Sequence, residues 1–459
     1  MPPIVGENGV YAARLANGAP ATMTPLGLVF MALAAASVLF LPRKYVVVPL
    51  LSVAFFVGMA QTVVVAGLHF QMIRIIVFFC WTRAVVSHRS WLKREKGFKF
   101  NNIDKVFSLW AVSSLVAFSL LWGSSDAVVN HLGFLYNAFG IYFFLRLICR
   151  DGEDINRVSR ILVWICVVLC VCMLNEQLTG RNLFSVLGGV PAFTAVRDGK
   201  LRSQASFGNA ITAGIFGAVL VPLFVSMRQT RKQWATAGLG AIAATVITVT
   251  SNSSTPISVY AAGILGMCIW PLRKGMRTVR WAIAALAVGL HLVMKAPVWA
   301  LISRFDFRGG SGYHRYILVD TFIRHFWDWC LVGYRYPEKW GWYTGDQANE
   351  YVFQGETGGL LTLVLFLTII KCSFGRLGEA RRTPGTDPAA AKRLWALGCV
   401  LFGHCVAFIG IDYFDQSYVN LYLLLAMISA ATAARSLPAP AQAEPVEDWL
   451  AEDHAETTA

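Results

Sequence analysis

The chain has 459 residues, of which 56% are apolar and only 14% charged, against roughly 45–50% and 25% in soluble domains. A soluble core cannot absorb that surplus, which excludes an ordinary soluble enzyme. The formal charge of +14 is spread over loops between apolar segments and is not gathered on one amphipathic face, which excludes a nucleic-acid binder.

In chain order, residues 1–23 form an N-terminal segment without the basic start, short apolar core and small-residue cleavage site of a signal peptide. Apolar runs then predict membrane spans at 24–42, 46–62, 66–82, 105–122, 130–149, 161–176, 209–227, 235–250, 256–272, 281–297, 357–372, 394–412 and 418–434. A re-entrant pair within 46–85 would reduce the count by one. The fold class is therefore an all-α, polytopic membrane helix bundle of about 12–13 spans. If the spans alternate, the basic segments Arg43–Lys44, Arg83–Lys105, Arg146–Arg160, Arg228–Lys232, Arg273–Arg280 and Lys371–Arg393 all fall on one side. The positive-inside rule makes that side the cytoplasm and puts the N-terminus outside. The tail 436–459, rich in Pro, Ala and Glu, has no apolar face to bury and reads as a disordered cytoplasmic extension. Of the ten cysteines, all but Cys330 lie in or beside apolar segments, and no zinc-like spacing occurs in a polar loop. No metal or other cofactor is expected.

Two outward loops carry unusual chemistry. The first, 175–209, places Arg197, Lys200 and Arg202 close together before the chain re-enters the membrane. Guanidinium forks match phosphate oxygens, so this cluster suits a diphosphate; contact with lipid headgroups is the competing reading. The small-residue stretch Gly208–Gly217 allows close helix packing. The second loop, Lys295–Glu356, is about sixty residues long, too long for a connector, and residues 298–356 are assigned as a periplasmic subdomain. Within it, residues 313–330 put Val319, Phe322, Ile323, Phe326 and Cys330 on one helical face and Asp320, Thr321, Arg324, His325 and Asp328 on the other. This pattern predicts a helix lying on the membrane surface, with His314 and Arg315 in its first turn. Arg315 reads either as a ligand-binding cation or as a side chain snorkelling to headgroups. The run from Trp340 to Gly359 interleaves aromatics with Gly, Asp346, Asn349 and Glu356, as a sugar subsite would, or as interfacial anchors would.

The order of these features resembles the O-antigen ligase and polymerase superfamily. The resemblance is carried by Arg202-Ser-Gln-Ala-Ser-Phe-Gly-Asn-Ala-Ile, by Ser251-Asn-Ser-Ser-Thr-Pro256, and by the large loop with His314-Arg315, Trp329-Cys-Leu-Val-Gly333, Asp346-Gln-Ala-Asn349-Glu-Tyr351 and Gly358-Gly359-Leu360. It covers roughly residues 25 to 435. It implies a GT-C-like glycosyltransferase of the bacterial inner membrane, acting on the periplasmic side without a metal or other cofactor. The implied partners are an undecaprenyl-diphosphate-linked glycan, an acceptor glycan or glycolipid, membrane lipids, and chain-length-regulator and flippase proteins. By position, Arg202 and Arg315 would hold the donor diphosphate, with Arg197, Asn349 and Tyr351 as further substrate-binding candidates. Ligases of the family usually have His before the Asn of the last motif, where this chain has Ala348. The general base must then come from Asp346, His314 or Glu356, in that order, and a polymerase is favoured over a lipid A core ligase. The competing classes are a flippase for lipid-linked sugars and a non-catalytic subunit of a polysaccharide assembly. Spans nearly free of charge argue against the flippase.

Overall fold

The computed structural model describes residues 21–65, 68–87, 100–228, 231–304, 312–341, 344–345 and 348–433. Nearly all regular structure is helical. In chain order the helices are α1 (Pro25–Phe40), α2 (Val47–Phe56), α3 (Met72–Val86), α4 (Asn102–Trp122), α5 (Ser125–Ile148), α6 (Gly152–Thr179), α7 (Ala210–Ser226), α8 (Arg231–Thr250), α9 (Ser254–Cys268), α10 (Met276–Val293), α11 (Gly312–Arg324), α12 (Glu350–Arg382), α13 (Pro388–Ala407) and α14 (Gln416–Ala433). Among them α4, α5, α6, α8, α10 and α12 are long and apolar enough to cross a membrane; α1, α7 and α9 are apolar but shorter. The chain thus has the character of a helical membrane protein. The tail 436–459 lies outside the described residues.

Local signals set the helix ends. Asn101 and Asp104 form a reciprocal capping box at the start of α4, and Asp151 accepts from the first-turn amides of α6. Gly123 and Gly180 close α4 and α6 in the left-handed region, with φ of 60° and 68°. The core centres on α14 and α7, which are buried on nearly every side. Glycines on α7 make the close approach possible: a Cβ at Gly214 would lie 2.6 Å from Pro256 Cγ, and one at Gly217 2.6 Å from Ala244 O. α10 differs from the rest in having no buried residue.

The structure departs from the sequence-based reading at several points. Residues 46–62 and 66–82 are not two full helical spans. α2 has ten residues, about 15 Å of helix, and the chain then turns into an antiparallel hairpin, β2 (Gln61–Val65) and β3 (Leu68–Gln71), to which β1 (Ala21–Thr22) adds in parallel. Apolarity alone cannot tell a helix from the β-branched run Thr62-Val-Val-Val65, whose shape favours a strand. The helices also carry more buried charge than expected. Arg146 forks onto Asp104 at 3.1 and 3.2 Å, with Tyr142 donating to the same carboxylate, and Glu176, Glu350 and Glu356 are enclosed as well. Lastly, the amphipathic segment is not one surface helix. α11 ends at Arg324 and a separate turn, Phe326–Trp329, follows. Part of its apolar side is covered by protein, since Leu318, Phe322 and Trp329 form a small core with Val352 of α12, while Ile323 stays exposed.

Both long loops come to one end of the bundle. Ser203 N donates to Thr250 O at the end of α8, and Arg315 reaches Thr255 at the start of α9.

Candidate functional site

Arg202 ends a short hairpin, β4 (Ala195–Arg197) and β5 (Lys200–Arg202), paired Ala195 to Arg202 and Arg197 to Lys200. The hairpin turns through Asp198 and Gly199, both at positive φ, which suits the right-handed twist of the two strands. Arg197 sits at the tip, mostly exposed and 3.8 Å from Asp198. Just past Arg202 the backbone is fastened to the last turns of α6. Glu176 accepts from Gln204 N at 3.1 Å and Ala205 N at 2.7 Å, and Gln177 donates to Leu201 O, Ser203 Oγ and Thr250 O. Ala205 is held at φ 50°, a conformation that a non-glycine residue adopts only when its surroundings impose it. Arg202 is half-buried, and its Nε has no hydrogen-bond partner among the described residues. Burial and the nearby Arg197 lower its pKa from the ordinary arginine value, yet a guanidinium stays charged at physiological pH.

Glu176 is fully buried, so its removal leaves two backbone amides without an acceptor. Glu176→Ala is expected to cost about 2–4 kcal/mol, and Glu176→Gln, which keeps one carbonyl acceptor, clearly less. Thermal unfolding of the purified variants in one detergent checks the order.

The same connector that receives the Arg202 strand receives Arg315. Asn252 Nδ2 donates to Leu201 O at 2.6 Å, and Arg315 Nη2 donates to Thr255 Oγ1 at 2.8 Å. Residues 251–255 therefore join the two arginine-bearing segments, although Arg202 and Arg315 are 113 positions apart in the chain (315 − 202). This connector is also the N-terminus of α9. Ser253 makes no side-chain capping bond, Pro256 has no amide proton, and Ser253 and Thr255 are buried. The amides of the first helical turn and the positive end of the helix dipole thus lie beside the arginine that Thr255 holds. Two guanidiniums and an uncapped helix N-terminus are what a phosphate or diphosphate group needs.

The third wall is the start of α12. Asn349 caps it, accepting from Val352 N at 3.1 Å and donating to Ile409 O at 3.3 Å. Glu350 takes hydrogen bonds from Tyr413 N, Tyr418 Oη and Gln354 Nε2, and Gln354 in turn accepts from Trp110 Nε1 at 2.8 Å. These bonds clamp the 408–413 connector, where a Cβ on Gly410 would lie 2.6 Å from Thr255 Cγ2. Asn349, Glu350 and Thr255 thus belong to one packed unit. Asn349 uses both ends of its amide on the chain, and the Tyr351 hydroxyl donates to Cys405 O at 3.1 Å. Both thereby tie the wall together.

Among the base candidates, His314 is half-buried and directly precedes Arg315 on α11. Glu356 is 1% exposed, enclosed where α12 breaks. Asp346 lies outside the described residues. The ring of Trp340 is stacked on Tyr334 and on His325, at 4.7 and 5.0 Å between centroids, so its faces serve packing within the loop.

No family model and no curated protein matches the chain.

Sequence reasoning missed Glu176, Gln177, Asn252, Thr255 and Glu350 as parts of the site. A Glu-Gln pair closing the apolar helix at 161–176 was the available signal, because a carboxylate at a membrane helix end needs a partner.

Proposed function

We propose that this chain is a metal-independent, inverting glycosyltransferase of the O-antigen polymerase and ligase type, acting on undecaprenyl-diphosphate-linked glycan on the periplasmic side of a bacterial inner membrane. The observation that carries the reading is the meeting of the Arg202 and Arg315 segments on residues 251–255 at the open N-terminus of α9. In this account the large loop faces the periplasm, the basic loops face the cytoplasm, and the apolar segments make 12 or 13 crossings.

The chemistry is a single displacement at the anomeric carbon. The donor diphosphate lies against Arg202, Arg315 and the first-turn amides of α9. Negative charge grows on it as the glycosidic bond breaks, and fixed cations act most strongly where charge develops. A base removes the acceptor hydroxyl proton; His314, beside Arg315, or Asp346 fills this role, whereas enclosure argues against Glu356. Diphosphate leaves without a general acid, and attack from the opposite face inverts the anomeric configuration.

One observation favours transport of the lipid-linked glycan as a second reading. α12 is broken at Gly359, and two enclosed carboxylates, Glu350 and Glu356, lie in the turns before the break, features common in transporters. Cells lacking the gene, complemented with wild type, Arg202→Ala or Arg315→Ala at equal membrane levels, separate the two. The transferase reading expects single-repeat, lipid-linked glycan to accumulate on the periplasmic face in the variants. Accumulation on the cytoplasmic face would overturn it in favour of transport.

A further inference from the structure

The segment after α11 splits its apolar residues between two surroundings. Trp329 is buried and stacks on Phe322 at 4.0 Å, whereas Trp327 and Leu331 are each 84% exposed. These two residues project away from the small core that the rest of the segment builds. Their backbone is spliced into a span: Leu360 N donates to Cys330 O at 2.9 Å, and Tyr334 N donates to Glu356 O at 2.7 Å. Directly beyond the splice, Leu360, Leu361, Val364 and Leu367 of α12 are exposed on a helix apolar enough to cross a membrane. On the other side, Arg335 donates to Leu121 O at the end of α4 and its guanidinium lies 5.4 Å over the Trp122 ring, a cation and an aromatic at a helix terminus. Trp327 and Leu331 therefore continue the apolar surface of α12 at the level where α4 ends.

We propose that Trp327 and Leu331 insert into the lipid leaflet as an interfacial anchor for the large loop. The occupant of this surface is the acyl and headgroup boundary of the bilayer, where an indole gains from an apolar body and a polar edge. Continuity with the exposed side of α12 decides for lipid over a protein partner. The anchor holds the end of α11 at the membrane, and with it the depth at which His314 and Arg315 stand. It is independent of the transferase reading, because it rests only on exposure and on the splice into α12.

The test compares tryptophan emission of the full-length protein and of Trp327→Phe in nanodiscs of mixed phosphatidylcholine and phosphatidylglycerol, with plain or dibrominated acyl chains. The difference between the two proteins isolates Trp327. That component is expected to be quenched by brominated chains and unaffected by aqueous iodide. Quenching by iodide with no effect of bromine would overturn the anchor. A second variant, Leu331→Asp, is expected to speed amide hydrogen exchange across 326–331 in the same nanodiscs; unchanged exchange there would count against insertion.

Discussion

Gly359→Ala is expected to leave little correctly folded protein. Gly359 sits at φ 71° and ψ −176°, a region open in practice only to glycine, and a Cβ there would fall onto Leu331 O and Val332 N. The strain cannot be relieved locally, because the break at Gly359 is what lets the large loop hydrogen-bond into α12 through Cys330 O and Tyr334 N. Gly333 faces the same joint at φ 103°, and a Cβ on it would meet Glu356 O. The backbone penalty alone is about 1–3 kcal/mol, and displacing a packed main chain adds to it, against a typical total stability of about 5–15 kcal/mol. Gly375→Ala on the same helix is the control: its Cβ meets nothing within 4 Å, so it should be neutral or slightly stabilising. Thermal unfolding and monodisperse yield in detergent read both variants. Equal stability of the two would mean that the joint is not built as described.

Arg315→Ala is expected to abolish most glycan transfer while leaving the protein folded. The guanidinium is half-buried, and its bond to Thr255 Oγ1 fixes its direction at the start of α9. Removing one fixed donor from a site of developing negative charge typically costs about 10²–10³ in rate. Arg202→Ala should fall in the same range, since its strand is held by Glu176, Gln177 and Asn252 at the same connector. Arg315→Lys should recover only part of the loss, because an ammonium lacks the planar fork. In contrast, Arg197→Ala should have little effect, as that side chain lies exposed at the hairpin tip. Rates of glycan extension with purified protein and lipid-linked donor separate these cases.

The parts of the fold that were legible in the sequence are those where apolar length and capping residues agree. The expected spans at 105–122, 130–149 and 161–176 lie within α4, α5 and α6 but for one residue at the far end of α5, each helix entered through Asn101, Ser124 or Asp151 as a cap. The stretch 57–71 was not legible, because Val63 to Val65 are as apolar in a strand as in a helix. α11 shows a second limit: periodicity identified its apolar side, but could not tell that Val352, from the next helix, would cover part of it. For the site, Arg202 and Arg315 stood out through motif order. Their meeting point was hidden, since Asn252 and Thr255 act through hydrogen bonds to residues distant in the chain. Glu176 likewise works on backbone amides 28 and 29 positions away, and the Glu-Gln pair at the helix end, though visible, does not say which amides it serves.

The most direct test of the shared anion site is binding of undecaprenyl diphosphate to the purified protein, followed by native mass spectrometry for wild type, Arg202→Ala and Arg315→Ala. If both arginines hold the same diphosphate, each substitution weakens binding by about tenfold or more, the worth of one charge-assisted hydrogen bond. Unchanged binding in either variant would contradict a site built from both.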